Sequence, residues 1–259
     1  MVKFGLIGDP IGHSVSPQVF AKAYGGRWPY ELIEGADFEA SWQRFLDEYQ
    51  AINITTPFKE PAFRKVANSG VLGGCGFGGI CPEIPSGTIA SLSAINIAVK
   101  EADGKVHGYN SDYLGVLKVL KDRDFGPGST VLVAGFGGAG KAAAAAARTA
   151  GCDVVVCNRS IREPGIRPLS ELPILAGVAD LLIYTLAFPI PELDGLSVPA
   201  ILEANYRTPC LAPNCLKEGA SVSGKGSLPC KYIPGTEWHL AQAVTGYPLM
   251  TGCPVSVGF

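Results

Sequence analysis

Thr130-Val131-Leu132-Val133-Ala134-Gly135-Phe136-Gly137-Gly138-Ala139-Gly140-Lys141 decides how this chain is read. The first five residues are a short apolar run, the pattern of a strand buried on both faces. Gly135 to Gly140 then satisfies the spacing G-x-G-x-x-G. Residues 141–150 read as a helix, and the six alanines at 142–147 both favour it and let it lie close on a sheet. Glycines at this spacing permit a tight turn and a close approach of backbone to a pyrophosphate. The helix start adds unpaired N–H groups and the positive end of a dipole. Such a spacing alone is weak evidence, but here a strand precedes it and a helix follows, which is the context the motif requires. Gly135, Gly137, Gly138, Ala139 and Gly140 are therefore candidate cofactor-binding residues.

The next strand, residues 154–157, selects the nucleotide. A site for NAD usually carries a carboxylate at this strand's tip, for the ribose 2′-hydroxyl. Here the tip reads Cys157-Asn158-Arg159-Ser160. Arg159 suits a 2′-phosphate, with Asn158 and Ser160 as hydrogen-bonding partners and Arg162 as a further cation. The expected cofactor is NADP(H). Leu181–Tyr184 is another apolar strand of the same unit.

Working outward to the N-terminal half, residues 2–7 read as a strand ending in the loop signal Gly8-Asp9-Pro10. A helix follows to Tyr24, with Ser16 as N-cap and Pro17 at its first position. Residues 30–33 read as a strand, 38–49 as an amphipathic helix, and Ala51–Ile54 as a strand stopped by Pro57. Alternation of this kind predicts a parallel α/β sheet. Gly70, Gly73, Gly74, Gly76, Gly78 and Gly79 make residues 66–85 read as loop. Strands are expected at 95–99 and 105–108 around the turn Asp103-Gly104, then a helix at 113–121.

Composition narrows the function class. Of 259 residues 47% are hydrophobic and 17% charged, with a formal net charge of −2. The chain has enough apolar surface for a sizeable core, and the charge balance gives no reason to expect nucleic acid or an anionic membrane as partner. Residues 238–259 lack Asp, Glu, Lys and Arg, but polar residues and prolines interrupt them, so they read as a buried helix and tail rather than a membrane span. The eight cysteines contain no Cys-x-x-Cys pair, and read as buried free thiols of a cytoplasmic protein. His13, His107 and His239 have no ligand spacing, so no metal is expected.

Three polar clusters lie at strand ends: Ser14 with Ser16, Asn53-Ile54-Thr55-Thr56-Pro57-Phe58-Lys59, and Asn110-Ser111-Asp112. Each alone has a plain structural explanation as a cap or a surface residue. Their order is more telling. Gly8-Asp9-Pro10-Ile11-Gly12-His13-Ser14-Val15-Ser16-Pro17, then residues 53–59, then Gly108-Tyr109-Asn110-Ser111-Asp112, then the glycine turn, then Asn158-Arg159-Ser160, resembles the shikimate dehydrogenase family over most of the length, from Gly8 to Gln242.

The resemblance implies an α/β fold with three parts. These are an N-terminal substrate-binding (catalytic) domain at residues 1–108, a Rossmann-type NADP-binding domain at 109–234, and a C-terminal helix at 235–259 returning to pack on the first domain. It implies Lys59 and Asp112 as a coupled catalytic pair. It implies Ser14, Ser16, Thr55, Asn96, Asn110, Tyr206 and Gln242 as substrate ligands. The implied activity is NADP-dependent, reversible reduction of 3-dehydroshikimate to shikimate, a step of aromatic amino-acid and chorismate biosynthesis, by a cytoplasmic monomer or homodimer. Two alternatives stand beside it: a quinate/shikimate dehydrogenase using NAD, and a non-catalytic binding protein that senses shikimate or quinate. Chemistry gives these residue types a reason. Short hydroxyl and amide side chains read the carboxylate and hydroxyls of a small ring. A lysine can protonate a developing alkoxide while a neighbouring carboxylate holds it in place.

Overall fold

The computed structural model describes residues 2–161, 163–193, 198–211 and 231–256. It divides into two compact units, Met1–Gly115 with Gln242–Phe259, and Val116–Ala241.

The first unit is built on β1 (Phe4–Gly8), α1 (Ser16–Tyr24), β2 (Tyr30–Glu34), α2 (Phe38–Glu48), β3 (Ala51–Ile54), α3 (Lys59–Ser69), β4 (Val71–Leu72), α4 (Thr88–Leu92), β5 (Ile97–Lys100) and β6 (Val106–Tyr109). Its sheet runs β2-β1-β3-β5-β6-β4. The sheet is mixed, not wholly parallel as the alternation suggested. β1 lies parallel to both β2 and β3, but β5 is antiparallel to β3 and to β6. The reason is local. β5 and β6 are joined by the tight turn at Asp103-Gly104, closed by Glu101 N–H to the Lys105 carbonyl at 2.8 Å, and a short connection between adjacent strands forces them antiparallel. Phe4, Phe20 and Tyr247 pack at ring separations of 5.0–5.2 Å at the core of this unit.

Two local expectations are corrected. Ser16 is the first residue of α1 and not its cap; the hydroxyl that receives a backbone N–H at the helix entry is that of Ser14, from Ser16 at 3.2 Å. Residues 66–69 complete α3, and Val71–Leu72 pairs with β6, so only the remainder of the glycine-rich stretch lacks strand or α-helix up to Pro85. There Cys75 and Cys81 form a disulfide, which overturns the free-thiol reading for these two. Their spacing of six residues is not a motif, and the returning loop alone brings the two side chains together. Cys152, Cys157, Cys210 and Cys253 are free, and Cys215 and Cys230 lie outside the described residues. Burial pushes the Cys157 thiol up to about 11.

The second unit contains most of α5 (Ser111–Asp122), then β7 (Thr130–Ala134), α6 (Gly138–Thr149), β8 (Asp153–Asn158), β9 (Ile166–Pro168), α7 (Leu172–Ala176), β10 (Leu181–Tyr184), β11 (Ala200–Glu203) and β12 (Lys231–Ile233). Among the described residues all five strand pairs are parallel. The order β9-β8-β7-β10-β11-β12 is the doubly wound arrangement whose direction of build reverses between β7 and β10. α8 (Gly235–Thr251) begins in this unit and ends in the first. Among the described residues no helix is long and apolar enough to cross a membrane.

Candidate functional site

Register explains why the polar clusters of the first unit meet. β1 and β3 run parallel as neighbours, with Ile7 opposite Ile54, so the loops leaving Gly8 and Ile54 emerge at one end of the sheet. β5 runs the other way, so its beginning, not its end, lies there, with Ile97 opposite Asn53. β6 is antiparallel again, and Tyr109 sits opposite Ile97. Segments 9–16, 55–59, 93–96 and 110–112 therefore gather at the same sheet end, although up to about a hundred residues separate them in sequence.

Side chains then bind this assembly together. Lys59 opens α3 and Asp112 lies in the first turn of α5. Lys59 Nζ stands 2.6 Å from Asp112 Oδ2. The positive end of α5 favours the carboxylate, while a lysine at a helix start gains nothing from its own dipole and needs this partner. Asp112 is only 13% exposed against 31% for Lys59, so the pair is shielded on the acid's side and open on the amine's. Asn110 is buried and caps α5. Its Oδ1 accepts the Tyr113 N–H at 3.0 Å, and its amide donates to the Ala94 carbonyl at 3.0 Å. Asn96 Oδ1 accepts the Ser111 N–H at 2.6 Å. Thr55 is half-buried, and its N–H donates to the Ile7 carbonyl at 3.0 Å.

Ser14 and Ser16, both half-buried, have their hydroxyls 3.0 Å apart. Tyr30, which the sequence offered only as a strand residue, joins them to Asn53. Its hydroxyl donates to Asn53 Oδ1 at 2.7 Å and also meets the Ser16 side chain. Burial holds the Tyr30 phenol well above the usual tyrosine range, with Tyr247 beside it adding to the rise. Gln242 belongs to the same unit, four residues before Gly246 on α8. A side chain at Gly246 would meet Ile97 Cδ1 at 2.7 Å and Ser111 Cβ at 3.2 Å, so this glycine lets the helix lie against β5 and the start of α5. His13 is an exposed loop residue, and His107 is buried between the Gly73 carbonyl at 2.9 Å and Glu101 at 3.1 Å.

The second unit holds the other predicted residues. The glycine turn follows β7 and faces the switch point beside β10, where a ligand is expected in this fold. Gly135 has φ +98°, and a Cβ at Gly140 would lie 2.1 Å from the Gly135 carbonyl oxygen, so both must be glycine. Gly137 and Gly138 face open space, with nothing within 4 Å of an added Cβ. No side chain caps α6. Asn158 Oδ1 accepts the Phe136 N–H at 3.3 Å, and its amide donates to the Ser160 carbonyl at 2.9 Å, which ties the strand tip to the turn. Arg159 is exposed, with its guanidinium 5.9 Å from the Phe188 ring centre. Arg162 lies outside the described residues. These features fit a dinucleotide. The middle of the turn is open where a pyrophosphate would approach, the helix start is uncapped, and Arg159, Asn158 and Ser160 replace the usual carboxylate. Tyr206 also belongs to this unit, stacked on His239 at 4.9 Å between ring centres. Its loop is anchored by Glu203, which is fully buried and accepts from the Leu211 N–H at 3.2 Å and the Tyr232 hydroxyl at 2.8 Å. Among the described residues no group of three or more His, Cys, Asp or Glu is placed to hold a metal ion.

Tyr30, Tyr247 and Glu203 were not singled out from sequence. An isolated tyrosine or glutamate in a strand carries no local signal, and its role follows from register alone.

No family model matches the chain. Among known proteins, the NADP(+) shikimate dehydrogenase of Archaeoglobus fulgidus is 28% identical over 292 aligned positions, covering all of this chain and 96% of that one. The same-named protein of Natronomonas pharaonis is 28% identical over 96% of this chain and 93% of its own. The crystal structure of the Thermus thermophilus shikimate 5-dehydrogenase, in complex with NADP(H) and shikimate, superposes with a TM-score of 0.71 at 26% identity, covering 99% and 95% of the two chains. Relatives that match from end to end, and a solved structure sharing both units, agree with the order of motifs from Gly8 to Gln242: along its whole length the chain is similar to shikimate dehydrogenases.

Proposed function

We propose that this chain catalyses the reversible, NADP-dependent reduction of 3-dehydroshikimate to shikimate, with the first unit holding the substrate and the second the cofactor. The observation that carries this is the Lys59–Asp112 pair at 2.6 Å, set among serine, threonine and asparagine side chains at one sheet end. Ser14 and Ser16, with hydroxyls side by side, suit the two oxygens of the substrate carboxylate. Thr55, Asn96, Asn110 and Gln242 suit the ring hydroxyls, and the resemblance adds Tyr206 to this set. A substrate lacking one hydroxyl leaves a buried polar group unpaired, which is how such a site discriminates.

NADPH, when bound, supplies the hydride to the carbonyl carbon. The chain's own part is the proton. The Lys59 ammonium donates it to the carbonyl oxygen as negative charge develops there, and the resulting alcohol is the substrate of the reverse direction. Asp112 holds Lys59 in place through the proton loss and accompanies its reprotonation, so the two act as one catalytic pair. The proposed setting is the cytoplasm, in keeping with free thiols at four of the six described cysteines, and the proposed assembly is a monomer or homodimer.

The test is a steady-state assay following the absorbance of reduced cofactor, with each of NADP and NAD paired with each of shikimate and quinate. The expected result is turnover highest with NADP and shikimate. Faster turnover with NAD and quinate would establish the alternative dehydrogenase. Binding without turnover on any pairing would establish a sensor.

A further inference from the structure

Lys141 stands where a cation is poorly placed. It lies in the first turn of α6, near the positive end of that helix. Two contacts hold it there: Glu163 Oε1 lies 3.1 Å from its Nζ, and the Phe136 ring centre 5.3 Å away. Phe136 belongs to the glycine turn, and its N–H is bound by Asn158. Arg159 follows Asn158, and Glu163 comes four residues later. Lysine, turn and arginine-bearing loop thus form one connected patch within the second unit.

The charges of this patch are unusual for a site meant to receive a phosphate. A phosphomonoester carries about −1.5 to −2 at neutral pH, more than Arg159 alone neutralises. A second cation is present in Lys141, but a carboxylate already occupies it. The side chains of that pair are 34% and 52% exposed. Ion pairs so open to water are weak, and an incoming dianion can take the lysine from its partner.

We infer that Lys141 is a specificity-determining residue for the phosphorylated cofactor, and that Glu163 competes with the 2′-phosphate for it. The Lys141–Glu163 pair is the closed arrangement; binding of the 2′-phosphate opens it and adds the lysine to Arg159. Glu163 thereby sets how strongly the site prefers NADP over NAD, because its competition acts on the phosphorylated ligand alone. This rests on the NADP reading above.

Calorimetric binding of 2′,5′-ADP to the full chain tests it, since that ligand carries the 2′-phosphate and no nicotinamide, with 5′-AMP as the control. Lys141→Met weakens 2′,5′-ADP binding about tenfold, the size of one charge-assisted hydrogen bond. Glu163→Gln tightens it about threefold, the size of an exposed ion pair. Binding of 5′-AMP stays unchanged in both, which shows the turn intact. The inference is overturned if Glu163→Gln leaves 2′,5′-ADP binding unchanged or weaker, if Lys141→Met leaves it unchanged, or if both ligands shift alike. A parent protein with no preference for 2′,5′-ADP over 5′-AMP is a different failure: it removes the NADP reading, and the inference with it.

Discussion

At the end of the first sheet, side chains hold one another. Lys59 is set by Asp112, Asn110 by Ala94 and Tyr113, Asn53 by Tyr30, and Ser14 by Ser16. At the turn of the second unit, positions are set by what is missing: Gly140 lies against the Gly135 carbonyl because it carries no side chain, and Gly137 leaves space above the helix start. The first region therefore depends on the identity of polar groups, the second on shape. Substitutions in the first should alter chemistry and substrate binding with the fold kept. Those in the second should divide by steric room.

The widest gap between the two regions is expected from Lys59→Ala. It removes the proton donor and leaves the glycine turn untouched, so kcat falls by about a thousandfold, within the range for loss of a general acid. Binding of NADP, followed by calorimetry, stays at the parent value. A kcat within tenfold of the parent breaks the comparison, since the first region would then not be where the chemistry is held.

Glycine substitutions sharpen the other side. In Gly140→Ala the new methyl would lie 2.1 Å from the Gly135 carbonyl oxygen. Backbone must move, at a cost of about 3 kcal/mol, and the thermal midpoint of the second unit falls by about 10 °C. In Gly137→Ala the methyl meets nothing within 4 Å. That variant keeps its midpoint but loses NADP affinity, because only a bound pyrophosphate competes for the space. Equal midpoints for the two variants would show that shape does not hold the turn.

How much of this could be read beforehand also differs between the two regions. β7, the glycine turn and α6 are contiguous in sequence, and their signals are local: an apolar run, a spacing and a row of alanines. Leu181–Tyr184 was legible for the same reason. The first site is assembled from four distant segments, and motif order pointed to its members without giving their geometry. That Asn110 caps α5, or that Tyr30 reaches Asn53, depends on which strand lies beside which and in what register. A period of two in the side chains does not encode that. The reversal of β5 was missed because the strand–helix alternation before it outweighed one Asp-Gly turn. The Cys75–Cys81 pair was missed because a separation of six residues is no characteristic spacing.

Asn110 tests whether the polar network of the first region is structural as well as chemical. Asn110→Ala strips the cap from α5 and leaves the half-buried Ala94 carbonyl without its donor. The expected loss is about 2 kcal/mol in urea unfolding, less than for Gly140→Ala. Asn110→Asp keeps the cap acceptor but not the amide donor, and should fall between. A loss below about half a kcal/mol would mean that the buried amide contributes no net stability.

The smallest effect lies at the edge of the first sheet, away from either site, and depends on pH. The Tyr49 hydroxyl donates to Glu31 at 2.6 Å, and with Lys3 and Arg44 it holds the Glu31 carboxyl below its ordinary value of 4.5, against a smaller upward push from burial. A carboxyl depressed on folding stabilises the folded chain fully above its ordinary value. It loses that contribution as pH falls through the depressed value. Glu31→Gln keeps an acceptor for Tyr49 and removes only the charge. Its thermal midpoint should sit below the parent's by about 2 °C or less at neutral pH, since the Glu31 side chain is 39% exposed and screened by water. The gap should persist down to about pH 5 and close below the ordinary carboxyl value. A gap that stays constant on acidification would assign the stabilisation to the shape of the hydrogen bond rather than to charge, and would place this edge with the second region, where geometry and not ionisation sets the structure.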